Sequence, residues 1–259
     1  MNPWQILLAL LVVVIFPILD LKETRLMRTF TSCMRRINWY RKIIASLWLA
    51  VAAAFFTSPL SSLVRVQLDT TESDWMLAHP VSSGIAFTAA SALLLLSSLS
   101  GLQCLWNDTI RQRIAPALAS MQFVLPVSII ERRWWIVVSV SAGVCEEILF
   151  RGFLFNFLHS APPIGMQLGA IAALILTSLS FGSSHLYQGW QGMLSSLLIG
   201  MALGVLAIMT GSLLIPILLH ILMDVKMLWM YKPLQDNPIL ASKLISGHGP
   251  DERISVNFR

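Results

Sequence analysis

The stretch Ser141-Ala-Gly-Val-Cys-Glu-Glu-Ile-Leu-Phe-Arg-Gly152 places three ionisable side chains inside an apolar run. The run extends from about Trp134 to Leu158, and about 20 apolar residues are enough to cross a bilayer as a helix. A charged side chain at the bilayer centre costs at least about 2.5–3.5 kcal/mol on insertion scales. The stretch therefore predicts a membrane-spanning helix whose charged groups need partners or a function.

Similar apolar runs lie on both sides of this one. Of the 259 residues, 56% are hydrophobic and 12% are charged, whereas a soluble domain usually carries about twice that charged fraction. The simplest architecture is one helical membrane domain. We therefore expect an all-α fold, a polytopic bundle of transmembrane helices with about seven spans, at about 4–19, 43–57, 84–105, 134–158, 167–185, 192–209 and 213–230.

Basic residues cluster between the predicted spans. Sixteen of the 18 Lys and Arg residues lie in the stretches 22–42, 111–133 and 226–259. Because positive loops stay cytoplasmic, we expect the C-terminus inside and the polar loop 58–83 outside. Membrane orientation explains the net charge of +5 better than nucleic-acid binding does. The expected location is a bacterial inner (cell) membrane, with the lipid bilayer as a partner and no nucleic acid.

Two of the three ionisable groups in the opening stretch can neutralise each other. Glu147 and Arg151 are four residues apart, so they share a helix face and can form an ion pair. Glu146 points about 100° away around the helix and is left without a local partner. An unpaired carboxylate inside a membrane is a functional candidate by default.

Three further polar side chains lie in apolar spans. His185 ends the fifth span, and His220 and Asp224 lie one turn apart on the seventh. A carboxylate that burial has stripped of water can accept and return a proton near neutral pH, so Glu146 with His185 can polarise a water. His220 can donate a hydrogen bond to the oxyanion of a hydrolysed amide, and Asp224 can do so when protonated or can orient His220. Hydrolysis of a peptide bond suits this set best.

The polar residues form three motifs in order along the chain: Glu146-Glu147-x-x-x-Arg151, Phe181-x-x-x-His185 and His220-x-x-x-Asp224. Together they resemble the signature of the CAAX-protease and bacteriocin-processing (CPBP) family of intramembrane endopeptidases. These proteins are also called type II CAAX prenyl proteases or Abi proteins. The resemblance covers about residues 142–227, roughly a third of the chain.

The resemblance implies a role for each residue. Glu146 and His185 would activate the water, and His220 and Asp224 would form the oxyanion site. The family's prenyl-protein branch has Asn at the position of Asp224, whereas the wider family has Asn or Asp, which argues against a prenyl-protein substrate. The supporting residues would be Glu147, Arg151 and Phe181.

The expected substrate is a membrane-associated or lipidated protein or peptide. Residues 1–133 are interpreted as an N-terminal membrane-spanning region of unassigned role. Residues 134–230 would form the catalytic helix bundle, and residues 231–259 a polar cytoplasmic tail.

Two alternatives remain open at this stage. Two His and two carboxylates can ligate zinc, and Asp224 in place of Asn favours a metal, although no HExxH motif occurs. The family resemblance implies metal-free catalysis, so a glutamic endopeptidase is expected ahead of a metallo-endopeptidase, with zinc as the less favoured cofactor. Buried acids and histidines also serve proton relays. Under this second alternative, the chain would be a non-enzymatic membrane protein, such as a proton-coupled transporter, a scaffold or a bacteriocin-immunity factor.

Overall fold

A computed structural model describes residues 2–29, 31–118, 121–160 and 169–231, and all regular structure within them is helical. The expected all-α bundle is thereby confirmed. In chain order the helices are α1 (Pro3–Thr29), α2 (Cys33–Thr57), α3 (Leu60–Val64), α4 (Thr70–Ala78), α5 (Pro80–Trp106), α6 (Asp108–Leu118), α7 (Ile129–Glu147, continued by the π-helical Ile148–Leu154 and by Phe155–Ser160), α8 (Ala170–Ser184), α9 (Trp190–Thr210), α10 (Leu214–Val225) and α11 (Met227–Met230). The predicted turn after residue 159 and the predicted polar tail fall mostly outside the described residues.

Four of these helices, α1, α2, α5 and α9, are long and apolar enough to cross a membrane. Their outward-facing apolar side chains are widely exposed, with Phe56 91% and Leu49 73% accessible. Apolar surface on this scale is stable against lipid rather than water. The chain is therefore an integral membrane protein. The other three predicted spans correspond to α7, α8 and α10, and the total of seven crossings stays a prediction.

Helix ends differ from the predicted spans where polar side chains satisfy the backbone. α2 begins ten residues before the predicted span at Ile43, because the Ser32 hydroxyl accepts a hydrogen bond from the Arg35 N–H. The seventh predicted span breaks at Lys226, whose ammonium group donates to the carbonyl and hydroxyl oxygens of Ser97 on α5. The predicted outer loop contains the short helices α3 and α4.

The start of α7 is anchored to α2 by a buried acid. Ser128 caps the helix, and the Glu131 carboxylate accepts the backbone N–H groups of Val127 and Ser128. The same carboxylate accepts the Arg36 Nε–H at 2.7 Å and is fully buried. A buried carboxylate is stable only with partners of this kind, so the contact fixes how α7 enters the bundle.

α7 packs against α2 on one side and α10 on the other, while α8 packs on α9 and α9 on α5. The approach of α10 depends on Gly143, since a Cβ there would lie 2.4 Å from Ile221 Cγ1 and 2.9 Å from the Ile221 backbone nitrogen. After Glu147 the helix widens into π-helical turns, a feature often found at functional sites. The three motifs are thereby carried on α7, the end of α8 and α10.

Candidate active site

The Glu147 carboxylate lies at the centre of a buried polar cluster. Its Oε1 accepts a hydrogen bond from Arg151 Nη1 at 2.7 Å and lies 2.7 Å from His220 Nδ1. The side chain of Glu147 is fully buried, and those of Arg151 and His220 are nearly so. The spacing along α7 indicated the arginine contact. The contact with His220 joins distant parts of the chain and was not foreseen.

The contact with Glu147 also orients the imidazole of His220. A carboxylate only accepts, so His220 Nδ1 carries the proton in this contact. The opposite nitrogen, Nε2, then faces two other acids, with Glu146 Oε2 and Asp224 Oδ2 each at 3.9 Å. These distances exceed a hydrogen bond and leave room for the geometry to tighten around a reacting group.

The aromatic ring of Phe181 connects the members of the cluster. The Arg151 guanidinium lies 4.4 Å from the ring centroid, a distance suited to a cation–π contact. The rings of His185 and His220 lie 4.7 Å and 5.7 Å from the same centroid. Arg151 also donates to the Gly200 carbonyl of α9 at 2.9 Å. Three helices are thereby held around one aromatic side chain.

His185 lies at the C-terminal end of α8, where its Nδ1 is 2.8 Å from the Phe181 carbonyl oxygen. Because a carbonyl oxygen only accepts, this contact places the proton on Nδ1 and leaves Nε2 as a lone-pair acceptor. The imidazole is half-buried. Its Nε2 is therefore not used by this contact and can accept a proton.

Glu146 connects the buried cluster to a cavity of about 320 Å³. Its Oε2 is buried and, among the described residues, has no hydrogen-bond partner. The carboxyl side chain is 17% exposed. Glu146 and His185 both line the cavity. A buried polar atom without a partner is costly and rare in folded proteins, so this oxygen calls for a functional explanation.

The structure brings three of the four expected residues into one cluster, and the fourth lines the adjoining cavity. Glu146 and Asp224 flank His220 Nε2, while His185 lines the same cavity as Glu146. Asp224 is the most open member, with 37% of its side chain exposed. Imidazole and carboxylate groups are also zinc ligands, so the zinc alternative remains a proposal for experiment.

A second group of His and acidic side chains lies at the C-terminal end of α7. The carboxylates of Asp69 and Glu72 and the His159 ring offer ligand atoms within 4.8 Å of one another. These atoms are already engaged, because Glu72 caps α8 through the Ala170 N–H at 2.6 Å and lies 2.7 Å from His159 Nε2. We name the contacts of Glu72 with His159 and Ala170 the loop latch, since they hold α4 against the ends of α7 and α8.

Comparison with known proteins finds similarity for a segment in the second half of the chain. Residues 129–225 match the model of the family described as type II CAAX prenyl endopeptidase Rce1-like. An 86-residue segment is 36% identical to an uncharacterized 24.3 kDa protein of Escherichia coli, and the match spans 33% of this chain and 38% of that protein. No solved structure matches the chain.

Proposed function

We propose that this chain, whose residues 129–225 match the model of the type II CAAX prenyl endopeptidase Rce1-like family, is an intramembrane endopeptidase. It hydrolyses a peptide bond of a membrane-associated protein or peptide with a water activated by Glu146 and His185. The observation that carries the proposal is the buried, unpartnered Glu146 Oε2, which lies on the wall of a cavity shared with His185.

Two proton acceptors face the proposed water. Glu146 offers an unpartnered carboxylate oxygen, and His185 offers Nε2 because its Nδ1 is bound to the Phe181 carbonyl. As the water oxygen attacks the scissile carbonyl carbon, Glu146 accepts one of its protons. The C–N bond then breaks, and the same proton passes to the leaving amine. Glu146 therefore acts first as a general base and then as a general acid.

His220 and Asp224 surround the position proposed for the oxyanion. Nε2 can donate to that oxygen only when the imidazole carries both protons, and the carboxylates of Glu146, Glu147 and Asp224 stabilise that cation. An ionised Asp224 holds the cation, whereas a protonated Asp224 donates to the oxyanion itself. The role of Asp224 thus depends on its charge in the substrate complex.

Glu147 and Arg151 position His220 and do not touch the substrate in this mechanism. Glu147 Oε1 receives both Arg151 and the His220 imidazole. Arg151 is held in turn by the Gly200 carbonyl and the Phe181 ring. A group with its rotamer fixed in this way retains its orientation as charge develops in the transition state.

The test compares the membrane peptides of cells that carry the wild type or Glu146→Gln. Glutamine keeps the size of the side chain and removes its basicity, so specific cleavage products should disappear while the protein level stays close to normal. The loss of a general base typically costs about 10²–10⁴-fold in rate. Asp74→Asn is the matched control, because Asp74 is an exposed acid on α4 and should leave the products unchanged.

Unchanged products in Glu146→Gln cells, at normal protein level, would overturn the proposal and favour a transporter or scaffold. A chelator arm with purified protein addresses the metal alternative. The glutamic mechanism predicts turnover that survives chelation, whereas loss of turnover that added zinc restores would establish a metallo-endopeptidase.

A further inference from the structure

The cavity next to the proposed catalytic residues is walled mainly by helices outside the family-matched segment. α7 and the end of α8 supply its inner wall. Most of the remaining lining comes from α1 and α2: Val12, Phe16, Pro17, Leu19, Asp20, Glu23, Trp39, Lys42, Ile43, Ser46 and Leu47. A substrate that reaches Glu146 through this cavity therefore contacts side chains of the N-terminal region. Its selectivity depends on them.

Charged side chains in this wall are few. Glu23 is neutralised by Lys42, whose ammonium nitrogen lies 2.5 Å from Glu23 Oε1. The Asp20 carboxylate accepts the Trp39 indole N–H at 3.2 Å, and no cation of the described residues lies within 4 Å of it. Apart from Ser46 and the Glu23–Lys42 pair, the described residues of the N-terminal wall are mainly apolar, and Asp20 is an acid of this wall without a counter-ion.

A chain of aromatic contacts connects Asp20 on the N-terminal wall with His185 on the inner wall. The Trp39 ring that donates to Asp20 packs edge-on against Tyr187, at 6.1 Å between centroids. The Tyr187 ring stacks on His185, also at 6.1 Å. Two aromatic side chains therefore separate the acid from the proposed catalytic imidazole. A peptide covers about 3.3–3.6 Å per extended residue, so Asp20 is within reach of side chains a few residues from the scissile bond.

We propose that Asp20 is a specificity-determining residue that selects substrates with a Lys or Arg side chain near the scissile bond. The inference rests on the proposed function, since it assigns a substrate class to the same cavity. Its basis is the juxtaposition of an unpaired carboxylate, an apolar wall and the proposed catalytic pair. In such surroundings an opposite charge is attracted more strongly than in water, and a like charge is repelled.

Basic residues near the end of α1 and the start of α2 do not cancel the proposed preference of Asp20 for a Lys or Arg side chain. Three of them are engaged elsewhere: Arg28 with the Tyr187 carbonyl oxygen, Arg36 with Glu131 and Arg41 over the Trp134 ring. Of the cluster at residues 22–42, only Lys42 lines the cavity, and it is paired with Glu23. Exposed charges outside the cavity are screened over about 8 Å at physiological salt.

The experiment measures binding of labelled single-span peptides to the full chain in lipid nanodiscs. The peptides are identical except for one residue, Lys, Gln or Glu, which is moved along the segment next to the apolar span. Binding is measured to the Glu146→Gln protein so that no peptide is consumed. At the best position the Lys peptide should bind about tenfold more tightly than the Glu peptide. Asp20→Asn, added to the same protein, should bring the ratio close to one.

Controls separate charge from folding. Asparagine keeps the oxygen that accepts the Trp39 N–H, Asp20→Glu should retain the Lys preference, and Asp74→Asn should leave it unchanged. A Lys-to-Glu ratio near one before any Asp20 substitution, or a ratio that Asp20→Asn does not alter, would overturn the inference. The same peptides are then offered to the wild type. If none is cleaved, the endopeptidase proposal fails, while the binding ratios still decide the role of Asp20.

Discussion

Two Glu–His contacts of the same length involve α7, one near its middle and one at its C-terminal end. Glu147 Oε1 and His220 Nδ1 are 2.7 Å apart in the buried cluster, and Glu72 Oε2 and His159 Nε2 are 2.7 Å apart in the loop latch. The Glu147 side chain is fully buried, whereas 21% of the Glu72 side chain is exposed. Because the contact distances are equal, the role of each Glu–His pair depends on its burial and on the groups next to it.

The neighbours of the two histidines differ as well. The far nitrogen of His220 faces Glu146 and Asp224, so orienting this ring also orients a potential hydrogen-bond donor. The ring of His159 stacks on Phe155 at 6.0 Å between centroids. In the proposed mechanism the first contact therefore supports chemistry, while the second holds helix ends together.

Within the buried cluster, the same substitution at the two neighbouring glutamates gives the sharpest contrast. Glu147→Gln removes the charge that balances buried Arg151, and an unpaired buried charge costs about 3–5 kcal/mol. We expect a strong loss of both membrane abundance and turnover. Glu146→Gln should instead lose turnover with abundance close to normal, since neutralising an unpartnered carboxylate eases its burial.

Quantified protein in membranes, measured beside cleavage of a reporter, checks this pair of expectations. A stable but inactive Glu147→Gln together with a fully active Glu146→Gln would mean that the two glutamates have exchanged roles.

The packing that brings His220 to Glu147 can be broken without touching either charge. Gly143→Ala places a methyl group against the Ile221 side chain and backbone. Overpacking of this kind costs about 1–3 kcal/mol, and shifting α10 should also lower turnover. Gly84→Ala on α5 is the matched control, because nothing lies within 4 Å of its new Cβ. Thermal unfolding in detergent should show a lower midpoint for Gly143→Ala only, and equal midpoints would contradict the close approach of α7 and α10.

The smallest effect is expected at the loop latch. Glu72→Gln keeps an oxygen that can accept the Ala170 N–H, and partly exposed ion pairs contribute about 0–1 kcal/mol. Unfolding midpoint and turnover should both stay near wild type. A loss as large as that of Glu147→Gln would show that the two contacts are equivalent, which would remove the distinction between them.

The sequence predicts contacts within one helix better than contacts between helices. The four-residue spacing of Glu147 and Arg151 indicated their pairing, which the structure shows at 2.7 Å. The partnership of Glu147 with His220 depends on how α7 and α10 pack, and spacing along the chain carries no information on it. The role of His159 was hidden for the same reason, since Glu72 lies 87 residues earlier.

The apolar runs predicted the helical membrane fold because crossing a bilayer imposes a length and a composition. The cavity could not be predicted, since its walls combine α1, α2, α7 and the end of α8. The π-helical turns after Glu147 were not foreseen either. The apolar residues of this segment are equally compatible with an ordinary buried α-helix, so the sequence did not indicate the π-helical geometry.

The most direct test of the central claim is hydrolysis of a membrane peptide in heavy-oxygen water by purified protein in nanodiscs. Mass spectrometry of the product termini reports where the solvent oxygen goes. The account predicts a heavy oxygen in the new carboxyl terminus for the wild type and no product for a folded Glu146→Gln protein. Cleavage that persists in Glu146→Gln, or wild-type products without heavy oxygen, would contradict water activation by Glu146.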